Sequence, residues 1–357
     1  MRERDLNYVD SFIHTLISGI GRKRNNYLAI KHYNTFDISP EDIEQIMSQY
    51  PENDVYYHSF YENDMPDAYE PFLTVIKELY LQNQKEVIIE EFLEECGVYS
   101  QQRELIRSYM TEEVCKRQEE VLLSEVSYEQ ERMVDSLIKV MIFCSRKRPF
   151  LLVLNGFHRA GKSTVTLMKR LFDYEENENI CILLAYNSLH TVLSYVTQEW
   201  DQYEELLEEN GCVINGEMMM NQAGAEEDEA VFHYESANIS EYLKRLQNMY
   251  ETLDLEQARF YLQIIYRKIE RENLSLKETD KFKVFELYAR VSILLDDIPN
   301  ALMVCENLQN VKWKYEQKEG EYLYYYLLGV TRMYSGSLKE AISCARKCRT
   351  IAESMGC

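Results

Sequence analysis

The chain has 357 residues, with 39 basic against 61 acidic side chains and a formal charge of −22. Such a negative field repels phosphate backbones and argues against direct nucleic-acid binding. No run approaches the roughly 18 apolar residues of a membrane span, and the N-terminal MRERDLNYVDSF has no signal-peptide core, so a cytoplasmic protein without membrane contact is expected. With 46% hydrophobic residues and only 12 Gly and 6 Pro, the length suits two folded domains with little low-complexity sequence.

Tyr27 to Tyr33 is a short β-type run, and Ser39-Pro40-Glu41-Asp42 reads as an N-cap, a first-turn proline and first-turn acids, starting a helix that ends before Pro51. Asp54 to Tyr61 is again β-prone. After the turn-rich NDMPD comes an amphipathic helix through Pro71, Phe72, Val75, Ile76, Leu79 and Tyr80. Residues 84–145 read as helical, their Glu–Lys/Arg pairs a solvated face. Phe150 to Leu154 is an all-apolar strand, Lys162 to Phe172 a helix, and Ile180 to Tyr186 a second buried strand. This alternation predicts a parallel sheet covered on both faces, with 150–154 at its centre.

Beyond residue 238 strand signals stop. Three helical stretches centre on Ala258, Ala301 and Ala341, each alanine following a short polar turn, and Leu328-Gly329 with Tyr334, Gly336 and Ala341 follows the tetratricopeptide pattern. The expected fold is therefore α/β plus all-α: a P-loop NTPase-like parallel-sheet domain over 1–232 and an α-solenoid of tetratricopeptide-like hairpins over 233–357. The acidic 221–231 stretch reads as the linker, and further repeats are expected beyond Cys357, whose helix has no polar cap. The nine cysteines form no CxxC pair, and with six scattered histidines they read as buried free thiols, not metal ligands.

Gly156-Phe157-His158-Arg159-Ala160-Gly161-Lys162-Ser163-Thr164 matches the phosphate-loop string GxxxxGK[ST], between a buried strand and a helix. Read literally, Gly156, Gly161, Lys162, Ser163 and Thr164 bind nucleotide: backbone amides cradle the phosphates, Lys162 reaches the β/γ oxygens and Ser163 ligates Mg²⁺. Hydrolysis also needs an acid at the end of a neighbouring strand, and the strand at 180–186 runs into Asn187. Leu294-Leu295-Asp296-Asp297 resembles such a strand but reads as an inter-helix turn.

The segment RPFLLVLNGFHRAGKSTVTLMKRL, from Arg148, also resembles the second acidic motif of the signal-transduction ATPases with numerous domains, the STAND class, where the strand reads rPlLlvlDDlHwaDxxSlxlLrxL in modules attached to LuxR-type regulators and nucleotide cyclases. On that resemblance Asn155 and Gly156 replace the paired acids, His158 and Ala160 are kept, and Gly161 replaces the third acid. Ala68 to Phe72 resembles the family's YxPf helix start, and ILLAYN at 182–187 its next strand. The resemblance implies that the true phosphate loop follows the first strand, where His32 to Asp37 offers no Gly, Lys or Ser. It thus implies a regulatory signalling module without catalytic residues, with a protein partner on the helical repeats and an output domain elsewhere, diguanylate cyclase or DNA-binding. Two further readings stand beside it: an ATPase or kinase using ATP and Mg²⁺ at the GKST loop, and a plain interaction scaffold.

Overall fold

In the computed structural model, residues 3–21, 26–32, 38–60, 65–83, 87–113, 121–188, 192–215, 239–271, 276–311 and 317–356 are described. The expected 221–231 linker, the boundary at 232/233, and residues 33–37 behind the first strand lie outside them.

The elements are α1 (Glu3–Ser18), β1 (Tyr27–His32), α2 (Pro40–Met47), β2 (Asp54–Ser59), α3 (Phe72–Asn83), α4 (Ile89–Glu95), α5 (Ser100–Met110), α6 (Val126–Lys147), β3 (Phe150–Asn155), α7 (Lys162–Asp173), β4 (Ile180–Asn187), α8 (Thr197–Glu209) and β5 (Val213–Asn215). Six helices follow: α9 (Ile239–Glu251), α10 (Leu255–Arg271), α11 (Glu278–Leu294), α12 (Ile298–Val311), α13 (Gln317–Tyr334) and α14 (Leu338–Met355). The chain separates into two compact units, one of 1–64, 69–112 and 132–232, the other of 65–68, 113–131 and 233–357.

In the first unit the five strands form one parallel sheet in the order β2-β3-β4-β1-β5. Both β3 and β4 are buried along their whole length, as continuous apolar runs on a doubly covered sheet must be. The middle position belongs to β4 and not to β3, because β1 and the three-residue β5 complete the sheet beyond it. One face packs under α1 and α2, where Val9, Ile13, Ile43 and Ile46 meet Leu151, Val153, Leu183 and Ala185. On the other face Tyr27 meets Phe172 of α7 edge-on, Tyr186 meets Trp200 of α8, and the Tyr56 hydroxyl donates to Gln82 of α3. The start of α2 is built as its sequence dictates, with Ser39 Oγ accepting from the Asp42 amide ahead of Pro40.

The crossover from β1 to β2 runs one way across the sheet, and those from β2 to β3, β3 to β4 and β4 to β5 run the other way. This reversal explains why α2 lies on the face opposite α7 and α8, since right-handed crossovers of opposite direction leave their helices on opposite faces; α1, which precedes β1, joins α2 there. The stretch 84–145, read as helical throughout, is broken at 96–99 and 111–113, where Gly97 and Glu112 take positive φ.

The second unit is a row of three helical hairpins, α9–α10, α11–α12 and α13–α14, in which α11 also packs on α9 and on α13. Each hairpin turns on a left-handed residue: Leu253 at φ 63°, Asp296 at φ 57° and Gly336 at φ 78°. The following amide reaches back five residues each time, from Asp254 to Met249 O (2.8 Å), Asp297 to Ser292 O (2.8 Å) and Ser337 to Arg332 O (2.9 Å). These are three copies of one Schellman ending. Ala258, Ala301 and Ala341 then each donate to the carbonyl four residues earlier at 3.0 Å. Gly329 sits where α13 packs on α14, and a Cβ built there would lie 3.1 Å from Cys344 Cβ, tighter than ordinary van der Waals contact.

Candidate functional site: the carboxyl edge of the sheet

In an open parallel sheet, ligands bind outside the carboxyl ends of the strands, where crossover direction reverses. Here that place is the end of β1 beside β4, with His32 opposite Asn187 in the ladder. The last residues of β1 to β4 are His32, Ser59, Asn155 and Asn187, none of them a carboxylate. His32, Asn155 and Asn187 are buried. The Ser188 amide donates to His32 O at 2.9 Å, and the Asn187 amide donates to His158 Nδ1 at 3.2 Å. Accepting that proton fixes the His158 imidazole with Nδ1 unprotonated. Asn155 Nδ2 donates to Tyr57 Oη at 3.4 Å, and that hydroxyl donates to Ile38 O at 2.6 Å. Among the described residues, no cluster of three His, Cys, Asp or Glu is disposed to hold a metal ion.

The GKST string lies behind β3, two strands from β1. Gly156 turns the chain out of the strand at φ 69°, and residues 157–159 close a 3₁₀ turn in which the Arg159 and Ala160 amides donate to Gly156 O and Phe157 O, both at 3.0 Å. A phosphate cradle needs successive loop amides aimed into one cavity, and these two are committed to the turn. Phe157 is fully buried against Phe60, Trp200 and Tyr203. Gly161, at φ −70°, caps α7. Lys162, which opens α7, lies 3.4 Å from Glu199 of α8. Ser163 is half-buried, and Thr164 Oγ1 donates to Glu70 O at 2.5 Å. The hydroxyl thereby ties α7 to the Tyr69-Glu70-Pro71 turn, where Tyr69 is buried at φ 52°.

His58 of β2 faces the same turn, its Nε2 3.7 Å from Glu70 and its ring edge-on to Phe60. Burial pulls the imidazole down to about 4, so at neutral pH it is uncharged and the Glu70 contact is not an ion pair. The cysteines of the described residues are free thiols, and burial pushes Cys144 and Cys181 up to about 12 and Cys305 up to about 11. Thiols held protonated in this way are poor nucleophiles and poor metal ligands. Cys115, Cys357, His190 and His233 lie outside the described residues.

Set against protein-family models, curated proteins and solved structures, the chain finds no match. The geometry brings His158, Asn155 and Asn187 together at one strand edge, while Lys162 and Thr164 are drawn to different neighbours. Sequence reading passed over Asn187 as a ligand of the His158 ring and over Phe157 as the plug of its own loop. The signal for Phe157 was an aromatic in a loop motif that tolerates any residue there.

Proposed function

We propose that this chain is a regulatory signalling module of the STAND kind, in which a P-loop NTPase-like α/β unit has lost nucleotide chemistry and a tetratricopeptide-like row of hairpins holds a protein partner. The observation that carries this reading is the position of the GKST string behind β3, with β1 the strand at which crossover direction reverses. A working phosphate loop belongs at the reversal, and the string stands where the STAND resemblance puts the acidic strand motif, with Asn155 and Gly156 in place of its acids. The turn-bound amides of Arg159 and Ala160 and the tether from Thr164 to Glu70 support the same reading. The Arg290 side chain adds a specific feature to the helical row: it is held by Glu286 at 3.0 Å and lies over the Tyr326 ring, cross-linking α11 and α13 on the side where they pack together.

Calorimetric titration with ATP, with and without Mg²⁺, tests the loss of nucleotide chemistry. Wild type is expected to bind no more tightly than about 1 mM, and Lys162→Ala to leave that result unchanged. Micromolar binding, weakened by Lys162→Ala, would replace this reading with an active phosphate loop.

A further inference from the structure

The third hairpin carries a cavity of about 420 Å³ between α13 and α14. Its α14 wall is Ser343, Arg346, Lys347 and Thr350, spaced three, one and three so that they share one helix face. Glu321 and Tyr325 of α13 form the other wall. This face owes nothing to the ending of the row. Counting from Ala301 and Ala341, which occupy equivalent places, Ser343, Arg346 and Thr350 correspond to Met303, Glu306 and Asn310 of α12. Those three are exposed although a further hairpin follows α12, and Asn307, the counterpart of Lys347, donates to the Tyr266 hydroxyl of the preceding hairpin.

The chemistry of the face is particular to α14. Helix α12 has one charged residue, Glu306, whereas α14 carries four basic residues against two acidic ones in a chain whose net charge is −22. Both of those acids are engaged, Glu340 with Arg332 at 2.9 Å and Glu353 with Arg349 at 2.8 Å. Among the described residues Arg346 and Lys347 pair with no carboxylate. Lys347 rests on Tyr325 instead, its Nζ 4.5 Å from the ring centroid and 3.4 Å from the hydroxyl. Where acids outnumber bases 61 to 39, two adjacent cations left over beside a cavity suit an anion from outside the chain.

Arg346 offers a planar fork of N–H donors, Lys347 an ammonium and Ser343 a hydroxyl, which together suit the terminal oxygens of a phosphate monoester. The remaining polar groups have the opposite character. Thr350 Oγ1 donates to Arg346 O at 3.1 Å, so towards a ligand it can only accept, and the Glu321 carboxylate is an acceptor as well. Acceptors beside a phosphate site call for a ligand that carries hydroxyl groups. A nucleobase is less suited, because Lys347 covers one face of the Tyr325 ring and Tyr324 packs 4.9 Å from it at 62°. The volume falls in the range of small-molecule sites, roughly 300–1,000 Å³. We propose that this cavity binds a small sugar phosphate, with the phosphate held by Arg346, Lys347 and Ser343 and the sugar hydroxyls donating to Glu321 and Thr350. The ligand gives the helical row an input distinct from its protein partner.

Isothermal titration of the full chain with ribose 5-phosphate and with glucose 6-phosphate reads the proposal, with inorganic phosphate, ribose and AMP as comparisons. Near pH 7.5 at least one of the two sugar phosphates is expected to bind at about 0.1 mM or better, inorganic phosphate about tenfold more weakly, and ribose not at all. Arg346→Gln with Lys347→Gln should weaken binding by at least about thirtyfold and leave circular dichroism unchanged, since both side chains are exposed. Glu321→Ala should remove most of the advantage of the sugar phosphate over inorganic phosphate. Lys162→Ala should change nothing, which separates this cavity from the GKST string. Near pH 5.5 binding should weaken severalfold, because the phosphate takes up its second proton at a pKa of about 6. No binding of either sugar phosphate at about 5 mM, binding that survives the double substitution, or tighter binding of AMP than of both would overturn the proposal. Equal affinity for inorganic phosphate would make the cavity a site for an adventitious ion only, and would overturn it as well.

Discussion

The loop behind β3 spells a phosphate-binding motif, yet two of its amides and its Thr164 hydroxyl are bonded inside the protein, whereas the turns of the three hairpins share almost no letters and share the same hydrogen bonds. Thr252-Leu253-Asp254, Leu295-Asp296-Asp297 and Ser335-Gly336-Ser337 have no position in common across all three, yet each ends a helix with the same left-handed residue and the same five-residue reach. The difference is one of what a short string can fix. A helix ending is decided within six residues by backbone geometry, so many sequences reach it. A phosphate loop needs its amides left open by everything around it, and Phe60, Trp200 and Tyr203 decide that from elsewhere in the chain.

The strongest way to break this comparison is to remove the plug. Phe157→Ala should cost about 3–5 kcal/mol in urea unfolding, the value for an aromatic core residue. A cost below about 1 kcal/mol would mean that the loop is open and the letters deserve their usual meaning.

Next in size is the response to acid around the same turn. Because burial lowers His58 to about 4 from 6.5, the unfolded chain binds a proton between those pH values that the folded chain refuses. Stability therefore falls as pH drops from about 6.5 to about 4, by about 2–3 kcal/mol from this group, and levels off below that. Unfolding at pH 7 and near pH 4.5 should show a smaller pH difference in His58→Asn than in wild type. An unchanged difference would place His58 in contact with water.

The hairpin turns sharpen the other side of the comparison. Gly336→Ala should destabilise by about 1 kcal/mol through backbone strain alone, since nothing lies within 4 Å of an added Cβ. Asp296→Gly, at the matching position with φ 57° and an exposed side chain, should stabilise by about 0.5–1 kcal/mol. If both changes moved stability in the same direction, the two turns would not be equivalent. Smallest of all is Lys162→Ala, expected within about 0.5 kcal/mol because its Glu199 pair is partly exposed. A larger loss would show that the lysine is held more deeply than this ion pair requires.

Much of the sheet was legible because it rests on local pattern. The two-sided burial of β3 and β4 is written in Phe150–Leu154 and Ile180–Ala185 as unbroken apolar runs, and Ser39-Pro40 announces α2. The middle place of β4 was not legible, because β5 is three residues long and gains its identity only by pairing with β1. The helices α1 and α8 carried helical spacing, in Val9, Ile13 and Leu16 and in Trp200, Tyr203 and Leu207, that sequence reading left unused. At the candidate site, the residues of the string could be read but their partners could not. Thr164 finds Glu70 across 94 positions, and Asn187 finds His158 across 29.

The position of β1 carries a consequence for how the protein is made. Among the described strands this one is made first, yet its neighbours in the sheet are β4 and β5. Even the residue before it, Asn26, is anchored on Asn177 and Ile180, 151 and 154 positions downstream. A nascent chain that has not reached Ile180 can pair β2 with β3 while β1 stays without a strand partner, its backbone N–H and C=O groups unpaired along both edges. At roughly 5–20 residues per second, synthesis keeps it in that state for some 10–30 s. The insertion of this strand between β4 and β5 is the long-range step expected to limit the rate of refolding.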